Sequence, residues 1–188
     1  MRLPEAVIIP LIGELLMTQE RQGVITFKGN PMTLIGQPVN AGDTAPDFRV
    51  VDNTLQPVTL ASSSGKIRLV TVVPSLDTPV CDTMTRTFNQ DAAKLPDNVV
   101  VYTVSLDLPF AQKRWCGNAG IDRVQTLSDY QDRSFVLAYG LLIKELKLAA
   151  RAVLVIDAND RISYLQIVPE VTAEPNYAAA LDAVRALL

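Results

Sequence analysis

The sequence predicts an α/β fold with a central mixed sheet flanked by helices, and three observations lead to that reading. Two apolar, β-branched runs at residues 67–73 and 99–105 bracket a segment of helical character, the strand–helix–strand order of a parallel βαβ unit. A third apolar run at 152–156 meets the turn Asp157-Ala158-Asn159-Asp160 and then a strand-like stretch at 161–168, which reads as an antiparallel hairpin. At 188 residues, 48% of them hydrophobic and 20% charged, the chain can bury one sizeable core without metal or disulfide staples.

The elements follow in chain order. Residues 1–22 read as a loosely ordered extension ahead of one domain over residues 23–188. The apolar stretch 6–12 is broken by Pro10 and flanked by Glu5 and Glu14. It is too short for a membrane span, which needs about 20 residues, and with only Arg2 as a basic start it makes a poor secretion signal. Met17 offers an alternative beginning. Residues 24–27 and 31–34, joined by Lys28-Gly29-Asn30, form a small β-hairpin with a Gly-Asn turn. A linker with Pro38, Gly42 and Pro46 leads to short strands at 48–51 and 58–60. The run 67–73, bounded by Gly65 and Pro74, is a buried central strand, and a helix from Pro79 to about Ala93 closes near Leu95-Pro96-Asp97. After the strand at 99–105, residues 108–116 form a short helix with Pro109 near its start and Gly117 near its end, which puts Cys116 at the far end. Residues 124–127 are too short a run to assign, and one or two helical turns at 133–139 and the hairpin precede a final amphipathic helix that begins at Pro175 and runs to 187.

Composition excludes several functions. A net charge of −3 and a pI near 5.0 leave no basic face for nucleic acid. Two cysteines and no histidine cannot build a zinc site without carboxylates. The absence of histidine also closes the Cys–His route to an activated thiol, so positive potential has to come from elsewhere.

Cys81 follows an apolar strand in the run Pro74-Ser75-Leu76-Asp77-Thr78-Pro79-Val80-Cys81. Thr78 reads as a helix N-cap and Pro79 as the first helical residue, so Cys81 falls in the first turn, where unpaired N–H groups and the helix dipole favour a negative sulfur. Thr78 is expected to accept from a backbone N–H and to aim its own proton at the sulfur or at a bound oxygen. Set against this is a buried, inert thiol. Arg151 precedes the strand 152–156, where a guanidinium is costly to bury without an anionic partner; a thiolate would be one, and an arginine snorkelling to solvent is the alternative. Arg86 is expected at the surface or behind the site, Lys113 and Arg114 on a solvated helix face, and Trp115 in packing. Cys116 lies 116 − 81 = 35 residues beyond Cys81, far from a C-x-x-C clip, and taken alone it is either half of a permanent disulfide or a free surface thiol.

Together these residues resemble the thiol peroxidase branch of the peroxiredoxins, the atypical two-cysteine kind. Pro74, Thr78 and Cys81 meet the pattern Pro-x-x-x-Thr-x-x-Cys, residues 108–117 resemble the branch's resolving-cysteine helix, and Ala149-Ala150-Arg151-Ala152 resembles its arginine strand. The likeness runs from about Met17 to the C-terminus and does not cover the extension before it. It implies a thioredoxin-like fold with an N-terminal hairpin, usually a homodimer. It further implies reduction of hydrogen peroxide and organic hydroperoxides, with electrons from thioredoxin and no metal or organic cofactor. Cys81 would be the peroxidatic and Cys116 the resolving cysteine, closing an intramolecular Cys81–Cys116 disulfide, while Pro74, Thr78 and Arg151 would bind and orient the peroxide. Two cysteines on separate helices seldom meet the Cα limit of about 7 Å for a disulfide, so one helix end is expected to unwind in the cycle. The weak signal character points to the bacterial cytoplasm, with the periplasm as the alternative. Two rival readings are a thiol–disulfide oxidoreductase on the same fold and a noncatalytic binding domain with a fixed Cys81–Cys116 bridge.

Overall fold

The computed structural model describes residues 19–188. Positions 1–18 of the predicted extension lie outside these residues, and its last positions are already strand, because β1 runs Glu20–Phe27. Lys28 and Gly29, both left-handed at φ 51° and 78°, turn the chain into β2 (Asn30–Ile35). That backbone matches the twist of a two-residue hairpin loop. The predicted hairpin is therefore present, with its turn at Lys28–Gly29 instead of Gly29–Asn30; Asn30 pairs across from Phe27.

There follow β3 (Arg49–Val51), β4 (Pro57–Thr59), β5 (Ile67–Val72), β6 (Val99–Ser105), β7 (Gln125–Ser128), β8 (Leu142–Ile143), β9 (Ala152–Ile156) and β10 (Ile162–Ile167). Seven of them form one sheet in the order β10-β9-β5-β6-β7-β3-β4, and β1-β2-β8 make a small second sheet. The β5–β6 and β6–β7 pairs are parallel, whereas β9 is antiparallel to both β5 and β10, so the expected mixed sheet is observed. The sequence reading does not include β8; two residues are too few for a period-2 pattern to show.

The helices are α1 (Pro79–Ala92), α2 (Pro109–Ala119), α3 (Ser134–Ala138) and α4 (Tyr177–Arg185). Two predicted bounds are corrected. α2 continues through Gly117, which a helix interior tolerates at about 1 kcal/mol, and stops where Gly120 turns left-handed at φ 66°. Cys116 thus sits inside the last turn, not at the end. α4 begins after Asn176, whose side-chain oxygen accepts from Ala179 N at 3.1 Å, and not at Pro175.

The apolar runs lack polar alternation because both faces of the main sheet are covered. Val70, Val72 and Leu154 point into a core shared with the hairpin and α3, while Leu69, Val73, Val153 and Val155 face α1, α2 and α4 through Phe88, Trp115 and Val184. In β9's register against β5, Ala152 opposes Val72. This places Arg151 beside the carboxyl end of β5, where the chain leaves for α1.

Candidate active site

The carboxyl end of β5 and the first turn of α1 hold the sulfur predicted to react. Cys81 is fully buried, and Thr78 stands at the N-cap with Pro79 next. The Thr78 side chain makes no capping bond. Its hydroxyl lies 2.8 Å from Cys81 Sγ and 3.0 Å from the Ser75 carbonyl, so the expected capping role is corrected: the helix end takes its first bond from the Thr78 carbonyl, which accepts from Asp82 N. The hydroxyl has one proton. Toward a thiol it can accept S–H while donating to Ser75, and toward a thiolate it can turn that proton to the sulfur.

Arg151 is 2% exposed, which removes the snorkelling alternative. Its Nη2 reaches Cys81 Sγ at 3.4 Å, Nη1 reaches Met84 Sδ at 3.3 Å, and Nε donates to the Val171 carbonyl at 3.0 Å. Among the described residues no carboxylate pairs with it. A buried guanidinium whose other partners are neutral leaves its charge directed at the sulfur. Met84 was not anticipated; its place three residues after Cys81, on the same helix face, is the spacing that could have revealed it.

Pro74, Thr78 and Arg151 line a cavity of about 410 Å³ with Phe27, Leu146 and Val171. Phe27 comes from the hairpin and Leu146 from the segment before β9, so distant parts of the chain supply the apolar wall. The loop between β5 and α1 is held from below by Asp107, whose carboxylate accepts from the Ser75 hydroxyl at 2.7 Å, Leu76 N at 2.8 Å and the Ser105 hydroxyl at 2.8 Å. Asp107 also escaped the sequence reading, although Ser105-x-Asp107 at the end of a strand was a visible clue.

Cys116 is not at this cavity. Both cysteines are free, and Cys116 lies half-buried with Sγ 3.4 Å from the Thr126 hydroxyl and 4.0 Å from Asn53 Nδ2. It opens onto a second, polar cavity of about 360 Å³. Lys113 and Arg114 are exposed and Trp115 is buried, as expected. Arg86 is half-buried and pairs with Asp82 on its own helix.

A thioredoxin-like sheet with a buried cysteine at a helix N-terminus beneath an arginine defines a thiol-dependent oxidoreductase. The redoxin family model matches residues 40–181. Over 164 residues the chain is 58% identical to the thiol peroxidase of Halalkalibacterium halodurans and 55% identical to that of Bacillus subtilis, covering 87% of this chain and 98% of each relative. A peroxiredoxin-like protein from Aquifex aeolicus superposes with a TM-score of 0.83 at 41% identity, over 91% of this chain and 99% of that one. The fold is also that of the thiol peroxidase from Chromobacterium violaceum, with a TM-score of 0.78 at 20% identity over 86% of this chain and 95% of the other. The chain belongs to the redoxin family, in its thiol peroxidase branch, and is a thiol-dependent peroxidase.

Proposed function

We propose that Cys81 is the peroxidatic cysteine and that the protein reduces hydrogen peroxide and organic hydroperoxides, with Cys116 as the resolving thiol. The observation that supports this most strongly is the convergence of the Arg151 guanidinium and the Thr78 hydroxyl on Cys81 Sγ, beside an apolar cavity. A thiolate attacks the terminal peroxide oxygen, the O–O bond breaks, and the sulfur becomes a sulfenic acid as water or an alcohol leaves. Arg151 and the first-turn N–H groups face the negative charge that develops on the departing oxygen, and Thr78 orients the peroxide. Pro74 shapes the cavity wall beside them. Phe27, Leu146 and Val171 give an alkyl group somewhere apolar to rest, which favours organic hydroperoxides over hydrogen peroxide by the area they bury.

The Cys116 thiol then condenses with the sulfenic acid, and an external dithiol of the thioredoxin kind reopens the disulfide by exchange. Cys81 Sγ is fully buried against Thr78 and Arg151, whereas Cys116 Sγ lies against Thr126 at a separate cavity, so closure of the bridge requires a helix end to unwind. No metal or organic cofactor enters these steps. We place the enzyme in the bacterial cytoplasm as a homodimer. Among the described residues no helix is long and apolar enough to cross a membrane.

Intact mass after one equivalent of cumene hydroperoxide is added to reduced protein tests the assignment. The parent is expected to lose two hydrogens and Cys116→Ser to gain one oxygen. If neither mass changes, the assignment of both cysteines is wrong.

A further inference from the structure

We propose that Asp82, Arg86 and Trp115 clamp the two cysteine-bearing helices together, and that release of this clamp sets the rate of Cys81–Cys116 disulfide formation. The inference rests on the reading of Cys116 as the resolving thiol. Trp115 Nε1 donates to Asp82 Oδ1 at 3.0 Å, and Arg86 Nε pairs with the other oxygen at 2.9 Å. Arg86 Nη1 donates to the Ala119 carbonyl at 2.9 Å, and the guanidinium lies 5.7 Å from the centre of the Trp115 ring. One group of side chains thus ties α1 to both the middle and the end of α2.

Asp82 directly follows Cys81, and Trp115 directly precedes Cys116. Adjacent helical positions are turned about 100° from each other, so while Asp82 meets Trp115 each thiol points elsewhere. Cys81 faces Arg151 and Cys116 faces Thr126 and Asn53. A disulfide needs Cα atoms within about 7 Å and converging Cβ vectors, so bridge and clamp exclude each other. The end of α2 is intrinsically weak. Gly117 and Asn118 are poor helix formers, and Gly120 ends the helix. The tethers at Trp115 and Ala119 hold this turn in place.

Opening the clamp frees Cys116 to attack the Cys81 sulfenic acid. The S–S bond forms as the S–O bond breaks, and the hydroxyl leaves as water with the Cys116 thiol proton. Asp82, Arg86 and Trp115 are positioning residues for this second step and touch no reacting atom.

Trp115 is the sole tryptophan, which makes the motion observable. Reduced protein is mixed rapidly with one equivalent of cumene hydroperoxide, and fluorescence is followed beside quenched intact-mass samples. In the parent, the fluorescence change is expected to keep pace with the loss of two hydrogens. Trp115→Phe keeps the ring packing but loses the donor. It is expected to consume hydroperoxide at the parent rate and to form the disulfide roughly tenfold faster, the effect of losing one charge-assisted hydrogen bond from the closed state only. Under excess hydroperoxide it should also accumulate less sulfinic acid. Arg86→Gln alters a side chain that is 43% exposed, which protects folding, and is expected to shift the disulfide rate in the same direction. Disulfide rates unchanged or slower in both variants overturn the clamp while leaving Cys116 as resolving thiol. A parent that forms no intramolecular disulfide, or a Cys116→Ser variant that does not stop at the sulfenic acid, overturns the resolving assignment and the clamp with it.

Discussion

Around Cys81 the reactivity of one sulfur depends on the partners left to the groups beside it. Arg151 spends its other donors on a carbonyl and a thioether, Val171 and Met84, neither of which carries charge. A lysine at this position is a point charge on a flexible stem and cannot reach all three acceptors at once. Arg151→Lys is therefore expected to lower kcat/KM for cumene hydroperoxide by roughly 10²–10³, the usual loss when a preorganised donor is removed. Thr78→Val, which exchanges a hydroxyl for a methyl, is expected to lose less, roughly tenfold, because Arg151 remains. A Thr78→Val enzyme as fast as the parent would show that the 2.8 Å contact to the sulfur has no part in catalysis.

The elements place these groups through their ends. The hairpin reaches the active-site cavity because Glu170 fastens it: its carboxylate accepts from the Thr26 hydroxyl at 2.7 Å, Lys28 N at 3.0 Å and Gly29 N at 3.1 Å. Hydrogen bonds from the Thr172 hydroxyl and amide, then those from Gly29 and Thr26, hold the Glu170 carboxyl well below the usual carboxylate range. α2 is the contrasting case, a helix whose last turn carries two poor helix formers, Gly117 and Asn118. At Gly117 an added Cβ meets nothing within 4 Å, and the backbone there is ordinary helix. Gly117→Ala is expected to stabilise the reduced protein by about 0.5–1 kcal/mol and to slow disulfide formation several-fold. A stopped-flow trace with an unchanged second phase would show that this turn does not unwind.

Across the whole molecule, the end of β7 is tied to α3 by a buried carboxylate. Asp129 accepts from Phe135 N at 3.2 Å and Val136 N at 2.9 Å, yet burial outweighs those bonds and pushes its carboxyl up to about 6. In the unfolded chain an aspartate titrates near 3.9, so the folded state holds this proton more tightly. The stabilisation is complete below about pH 4 and is lost as pH rises through about 6, by an amount on the order of 3 kcal/mol. Glu170 and Asp52 are shifted the other way, but their contribution is nearly complete once the pH exceeds the ordinary carboxylate value of about 4, so they leave the Asp129 slope above it almost intact. The difference between parent and variant isolates it: thermal melts of Asp129→Asn between pH 4 and 7 are expected to lack a decline that the parent carries, and parallel curves would contradict the assignment.

Periodicity and punctuation made the architecture legible. The β-branched runs bounded by Gly65, Pro74 and the turn 157–160 mark β5, β6, β9 and β10, and Thr78-Pro79 marks the start of α1, because each of these signals is local to the backbone that reads it. Short or context-made features were not legible: β8, the end of α2, and the turn residues of the hairpin. The sequence by itself determined that a cysteine would stand at a helix N-terminus after a central strand, since strand, cap and proline are contiguous there. Only the tertiary structure decided what surrounds the sulfur. The antiparallel register of β9 on β5 brings Arg151 to Cys81 across 70 residues of chain, and the same folding seats Met84, Asp107 and the Asp82–Trp115 contact. Side chains far apart in sequence meet by packing and strand register, which no local pattern encodes.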